Sequence, residues 1–201
     1  VIRNQFEIDE GDPFNEILQK KSINNLKNLG FFKKVSDEVI QGDNENSKII
    51  NITVDEKATG EISAGAGVGT SGGTVAFGVK ENNYLGRGIS LQLDATINEE
   101  SVKGSFSVLN PNFKNSDKSV YASVEATETD RLTDFGYKTN KIGFSLGTNF
   151  EYLGNFKTGL STSTYYETID AVSSASSRQK KQAGNFWDTF VGLDLDYDKR
   201  N

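Results

Sequence analysis

The chain of 201 residues contains no cysteine, no histidine and no methionine, and only 2 prolines. Without cysteine and histidine there are no disulfides, no thiolate or imidazole metal ligands, and no nucleophile–base pairs built on either residue. No acid–base pair can be singled out among the remaining carboxylates, so we expect no enzymatic activity, no cofactor and no metal. A chain that begins at Val1 is expected to be an excerpt or a processed product.

Positive charge is scarce, and the net charge is −6. Nucleic-acid binding requires clustered lysine and arginine. The basic groups here are short and scattered, at residues 20–21 and 178–181. The composition therefore argues against a nucleic-acid partner.

Long apolar runs are also missing. A transmembrane helix requires a run of about 18 apolar residues, and the sequence contains none. A membrane-spanning strand needs only about ten residues that alternate between apolar and polar. The 20 glycines and 10% aromatic residues favour such a β architecture.

Apolar and polar residues alternate along most of the chain from Gly60 onward. Between Gly60 and Gly69 the apolar residues occupy even positions, and between Ile89 and Ile97 they occupy odd positions. A period of two indicates strands with one apolar and one polar face. The predicted strands are residues 60–70, 73–82, 87–98, 101–110, 118–128, 139–151, 155–168 and 186–198. Because the faces opposite the apolar sets are polar or glycine, we predict a β-barrel with a water-filled interior and a lipid exterior.

The segments between these strands differ in length. Tight turns are predicted at residues 70–73, 99–100 and 153–155, and longer polar loops at residues 114–118, 129–139 and 170–185. In the last loop, residues 173–182 are expected to be mobile. Aromatic residues near the strand ends predict girdles at the membrane surfaces; they are Tyr84, Phe113, Tyr152, Tyr166 and Trp187.

The first 57 residues predict a helix followed by two strands. Asp12 is the expected N-cap, and Gly30 the expected left-handed C-cap. Ile23 lies off the predicted apolar arc, so a break near Ser22 is expected. That arc contains Phe14, Ile17, Leu18, Leu26 and Leu29. The strands are predicted at residues 33–41 and 48–56, and such a unit ordinarily contains a third strand.

Two motifs carry a family resemblance. Residues 60–113, with the turn NNYLGRG at residues 82–88 and the strand end NPNF at residues 110–113, resemble the start of the barrel in the BamA family of outer-membrane protein assembly factors. Residues 22–32, SINNLKNLGFF, resemble the second helix and following turn of a POTRA domain, the periplasmic repeat that precedes this barrel.

The resemblance implies a mostly β fold: a partial POTRA (α+β) domain at residues 1–57, in the periplasm, followed by antiparallel strands of a transmembrane outer-membrane β-barrel at residues 60–201. The second part would be the N-terminal half of a barrel of about sixteen strands, although about eight strands can also close on themselves. The implied function is assembly and insertion of β-barrel proteins into the bacterial outer membrane. The implied partners are unfolded β-barrel proteins, outer-membrane lipid and assembly-complex lipoproteins.

The first barrel strand is the predicted functional site. Its glycines weaken strand packing, and under the resemblance it forms a lateral gate that pairs with substrate strands by β-augmentation. The alternative is that the glycines only relieve crowding in a curved wall. The gate residues are Gly60, Glu61, Ile62, Ser63, Ala64, Gly65, Ala66, Gly67, Val68 and Gly69.

Other functions remain open at this stage. The same superfamily contains two-partner pores that secrete protein, and a passive porin-like channel would have the same strand pattern. The POTRA-like segment either guides substrate and docks lipoproteins or acts as a spacer.

Overall fold

The computed structural model describes residues 1–44, 47–69, 72–153 and 156–198. Within these ranges the chain forms a two-stranded antiparallel sheet and an eight-stranded antiparallel sheet. The helices are α1 (Glu16–Asn28), α2 (Leu132–Phe135) and α3 (Ser177–Gln182). The strands are β1 (Phe32–Gln41), β2 (Lys48–Glu56), β3 (Gly60–Gly69), β4 (Gly72–Tyr84), β5 (Ile89–Asn98), β6 (Ser101–Asn110), β7 (Ser119–Arg131), β8 (Tyr137–Leu153), β9 (Phe156–Ala171) and β10 (Gly184–Tyr197).

Helix α1 and the hairpin β1–β2 form an N-terminal unit, residues 1–57, around a small core. Leu26 is 0% exposed and Ile23 is 5% exposed. The predicted break near Ser22 is wrong, because α1 is continuous there. The Ser22 hydroxyl donates to the Leu18 carbonyl at 2.8 Å and accepts from the Glu7 amide at 2.9 Å. With its hydroxyl satisfied, Ser22 is buried within the helix and Ile23 packs inward beside it.

The N-terminus of α1 also differs from the prediction. Asn15 caps the helix, since its side chain accepts hydrogen bonds from the amides two and three residues later, at 2.9 and 3.2 Å. Asp12 instead accepts from the Asp9 amide in the preceding loop, at 3.0 Å. On the exposed surface of the first turn, a hydrogen bond from Lys20 lowers the pKa of Glu16. Gly30 ends the helix at φ +70°, as predicted.

Strands β3 to β10 form the large sheet, in which each strand pairs with the next along the chain. The sheet is open, because in the described part of the chain β3 pairs with β4 alone and β10 with β9 alone. The chain passes from the N-terminal unit into the large sheet at the start of β3. We call this end of the sheet the near end, and the opposite end the far end. The connections β4–β5, β6–β7 and β8–β9 lie at the near end, and the other connections at the far end.

Several strands are longer than predicted. Strand β8 contains 17 residues, and β7 and β8 together occupy most of the loop predicted at residues 129–139, leaving α2 and the left-handed Gly136 between them. The loop at residues 173–182, predicted to be mobile, contains α3, which begins with a capping box between Ser176 and Gln179. The tight turns predicted around residues 70–71 and 154–155 lie outside the described residues.

Candidate functional site

One face of the large sheet is apolar from strand to strand. A ladder row near its middle contains Val79, Leu93, Phe106, Val124 and Phe144. These side chains are not covered by the rest of the chain: Phe106 is 45% exposed and Phe144 is 50% exposed. A continuous apolar surface of this extent is unusual for a soluble monomer. We call it the apolar face, and its chemistry matches that of lipid.

The apolar band crosses the ladder rows diagonally. One row contains, from β3 to β10, Ala66, Val75, Ile97, Val102, Glu128, Asn140, Thr168 and Asn185. In β3 the band runs from Ile62 to Val68, so its centre lies one row from Ala66. In β10 it runs from Trp187 to Tyr197, so its centre lies seven rows from Asn185. Between β3 and β10 the band therefore moves by six rows toward the near end. For this reason the row that begins at Ala66 is apolar from β3 to β6 and becomes polar at Glu128 in β7.

Aromatic residues mark both borders of the apolar band in the last two strands. The rings of Tyr166 and Trp187 lie 5.0 Å apart at the far-end border. Just beyond them the surface is ionic, with Lys138 2.7 Å from Glu128. Tyr197, 63% exposed, lies at the near-end border. It is ten residues from Trp187 along β10, or about 34 Å along the strand.

The opposite face, here called the polar face, combines polar residues with glycine–tyrosine pairs. A Cβ atom added at Gly147 would overlap the ring of Tyr121, and one added at Gly143 would overlap Tyr165. The tyrosines cover the backbone of these glycines, as in aromatic rescue of strand glycines. The polar face is less uniformly polar than predicted, because Phe190 stacks edge-on against Tyr165 with ring centres 6.0 Å apart.

All ten predicted gate residues lie in the single strand β3, and all are exposed. A Cβ atom added at Gly65, Gly67 or Gly69 would meet no atom within 4 Å. This differs from Gly143 and Gly147, where a neighbouring side chain occupies the space. Crowding therefore does not require glycine at these three positions within the described structure. These three glycines leave their positions on the polar face of β3 without side chains, beside the edge that is unpaired in the described structure.

Among the described residues, no three or more acidic side chains cluster closely enough to bind a metal ion. No helix in this part of the chain is long and apolar enough to cross a membrane. A cavity of about 950 Å³ lies in the N-terminal unit between the segment preceding α1 and strand β2. A second cavity, of about 420 Å³, lies where this unit meets β3, between Phe31, Lys57 and Asn82.

Family comparisons agree with this architecture. The model described as Omp85 superfamily domain matches residues 83–201, more than half of the chain. The chain belongs to the Omp85 superfamily. A POTRA model, described as surface antigen variable number repeat, matches residues 1–57. The resemblance seen in the sequence, and the mostly β fold of POTRA plus barrel strands, are therefore confirmed.

Curated members similar to this Omp85 chain are assembly factors by name. It is 27% identical over 115 residues to outer membrane protein assembly factor BamA of Neisseria meningitidis serogroup B, covering 56% of this chain and 14% of that protein. It is 29% identical over 108 residues to a putative outer membrane protein assembly factor of Treponema pallidum, covering 50% and 13%. The chain therefore spans only about one seventh of these relatives.

Solved structures show the same fold over nearly the whole Omp85 chain. BamA from Haemophilus ducreyi lacking POTRA domains 1–3 superposes with a TM-score of 0.77 at 22% identity, covering 96% of this chain and 40% of that one. CdiB from Escherichia coli superposes with a TM-score of 0.59 at 15% identity, covering 98% and 39%. At these identities the likeness establishes the fold alone.

Sequence reasoning missed one group of residues next to the predicted site. At the near end, the carboxylate of Glu81 in β4 accepts hydrogen bonds from the Thr59 hydroxyl and from the Asn83 amide. The sequence signal for this group is the turn motif at residues 82–88, which directly follows Glu81. Only the register, which pairs Glu81 with Gly60, brings this carboxylate to the start of β3.

Proposed function

We propose that this Omp85 chain is part of a machine that assembles β-barrel proteins into the bacterial outer membrane, with β3 as the gate strand. The observation that carries the proposal is the exposed strand β3, whose glycines at residues 65, 67 and 69 are not required by packing within the described structure. The similarity to curated outer membrane protein assembly factors supports the same function.

The energetic reason concerns the backbone of the edge. In a ten-residue strand, about five N–H and C=O pairs point away from the neighbouring strand. Each unsatisfied group in hydrocarbon costs several kcal/mol, so an unpaired edge costs on the order of tens of kcal/mol. The edge of β3 must therefore pair with another strand in the membrane. A strand of an incoming protein satisfies the same groups as a closing strand of the full-length protein.

The proposal also assigns a location and partners. The apolar face contacts outer-membrane lipid, and the N-terminal unit lies in the periplasm. Unfolded β-barrel proteins bind at β3. Lipoproteins of an assembly complex dock on the N-terminal unit, where β2 has an unpaired edge in the described structure and Ile49 is 44% exposed. We propose no nucleic-acid partner, no cofactor and no catalytic step.

Site-specific photo-cross-linking in the full-length protein tests the gate. A photoreactive residue is placed at Ser63 or Gly65 in β3, and a control at Ser107 in β6, whose two neighbouring strands are both paired with it. A Cβ atom added at Gly65 meets no described atom within 4 Å, so there is room for the start of a side chain. We expect adducts with newly synthesised β-barrel proteins from the β3 positions and none from Ser107.

The same experiment separates the alternative functions. A secretion pore would give adducts from Ser107, on the polar face, with an exported soluble protein. A passive channel would give no protein adduct at any position. Either pattern would refute the assignment of β3 as a gate for membrane proteins.

A further inference from the structure

The near end of β3 is tied to β4 by side chains. The Thr59 hydroxyl, one residue before the strand, donates to Glu81 Oε1, and the Asn83 amide donates to the same oxygen at 2.8 Å. The Asn82 side chain reaches Glu61 Oε1 at 3.3 Å. These bonds supplement the backbone ladder where the chain enters the sheet.

The same cluster is joined to the N-terminal unit. Asn83 Oδ1 accepts from the Gly88 amide at 2.7 Å and so holds the β4–β5 turn. Gly88 is buried, with φ +67°, and a Cβ atom added there would lie 3.2 Å from Val1 and 3.6 Å from Phe31. The Lys57 amide donates to the Phe31 carbonyl at 3.0 Å. The segment before β3 is therefore fastened both to β4 and to the N-terminal unit.

Within the described residues, the far end of β3 shows no comparable side-chain support. Gly65, Gly67 and Gly69 have no side chains to contribute, and Val68 is 92% exposed. The partner of Val68 across the ladder is Gly73, where an added Cβ atom would also meet nothing within 4 Å. Glycines in a strand weaken side-chain packing. They also regain more conformational freedom than other residues when the regular strand geometry is lost. Among the described residues, the far half is joined to β4 by the backbone ladder, in which Ala66 pairs with Val75.

We propose that β3 is a flap hinged at its near end, with Glu81 as the positioning residue that fixes the hinge. The far half changes its twist relative to β4 while the backbone ladder is kept, and the near half keeps its register with β4 and its link to the N-terminal unit. If the proposed gate function holds, an incoming strand first pairs with the ordered near half. The compliant far half then adjusts to its length and twist.

The chain contains no cysteine, so spin labels placed on cysteine pairs in the full-length protein in lipid bilayers test the hinge. One pair is Ile62→Cys with Val79→Cys, and the other is Val68→Cys with Gly73→Cys; both are register partners. Because the pairs are six residues apart on the same face, they occupy equivalent positions in the antiparallel ladder. We expect the distance distribution of the far pair to be at least twice as broad as that of the near pair.

Substitution of Glu81 tests its role. Glu81→Ala removes the acceptor and is expected to broaden the near pair toward the width of the far pair. Glu81→Gln keeps an acceptor oxygen for Thr59 and Asn83 and is expected to leave the near pair narrow. Equal widths for the two pairs in the unsubstituted background would overturn the hinge, as would a near pair that Glu81→Ala leaves unchanged. No substrate is present in this measurement, so its result is independent of the cross-linking test of the gate.

Discussion

Placing a positive charge on the apolar face tests whether this face contacts lipid. Phe106 lies near the middle of β6, between Leu93 and Val124, and is 45% exposed. An arginine on the lipid side at mid-membrane depth costs about 2–4 kcal/mol. Phe106→Arg should therefore lower the folding equilibrium constant by roughly 30-fold to 700-fold.

The matched control is Ser107→Arg, the next residue of the same strand on the opposite face. Its side chain would project into the predicted aqueous interior, where a charge remains hydrated, so we expect a change of less than about 0.5 kcal/mol. Both variants of the full-length protein are folded into lipid vesicles from urea at equilibrium, and the folded fraction is followed by electrophoretic mobility without heating. Equal losses for the two variants would refute the assignment of lipid and water to these faces.

Two further changes test packing in the two parts of the chain. Leu26→Ala should destabilise the N-terminal unit by about 2–5 kcal/mol, because Leu26 is fully buried; Ile17→Ala, at a side chain 77% exposed, is the control with little expected effect, and hydrogen exchange of α1 amides measures both. Gly147→Ala should cost about 1–3 kcal/mol in the vesicle assay, since the added methyl overlaps Tyr121. Gly104→Ala, where an added Cβ atom meets nothing within 4 Å, should be tolerated, and a loss equal to that of Gly147→Ala would contradict the packing argument.

The sequence predicts strand bounds best where the residues that flank a strand differ clearly in chemistry from those within it. Strands β2 and β6 begin and end at the predicted residues, because polar turn residues flank a clear alternation. The alternation also identifies the residues of the apolar face, since a shift by one residue would place every side chain of a strand on the other face. The bounds of β3, the proposed gate strand, agree with the prediction to within one residue for the same reason.

Other features depend on neighbours that a single segment does not reveal. Asp130 and Lys138 look like loop residues, yet they are register partners that extend β7 and β8 past the apolar band. Phe190 was overlooked because the pattern of β10 places its apolar residues on the opposite face, and only the register brings Phe190 to Tyr165. Asn15 and Asp12 are equally good caps by residue type, and the loop contact of Asp12 decides between them.

The diagonal course of the apolar band sets the inclination of the strands in the proposed membrane orientation. The band moves by six residues, about 20 Å, across the seven spacings between the eight described strands, about 34 Å in total. For such a band to lie parallel to the membrane plane, the strands must tilt by about 30° from the membrane normal. This angle is close to the strand tilt of known barrels. At that inclination the roughly 34 Å between Trp187 and Tyr197 projects to about 29 Å, the thickness of a bilayer's hydrocarbon layer. The inclination calculated from the band therefore places its two aromatic borders in β10 about one hydrocarbon layer apart.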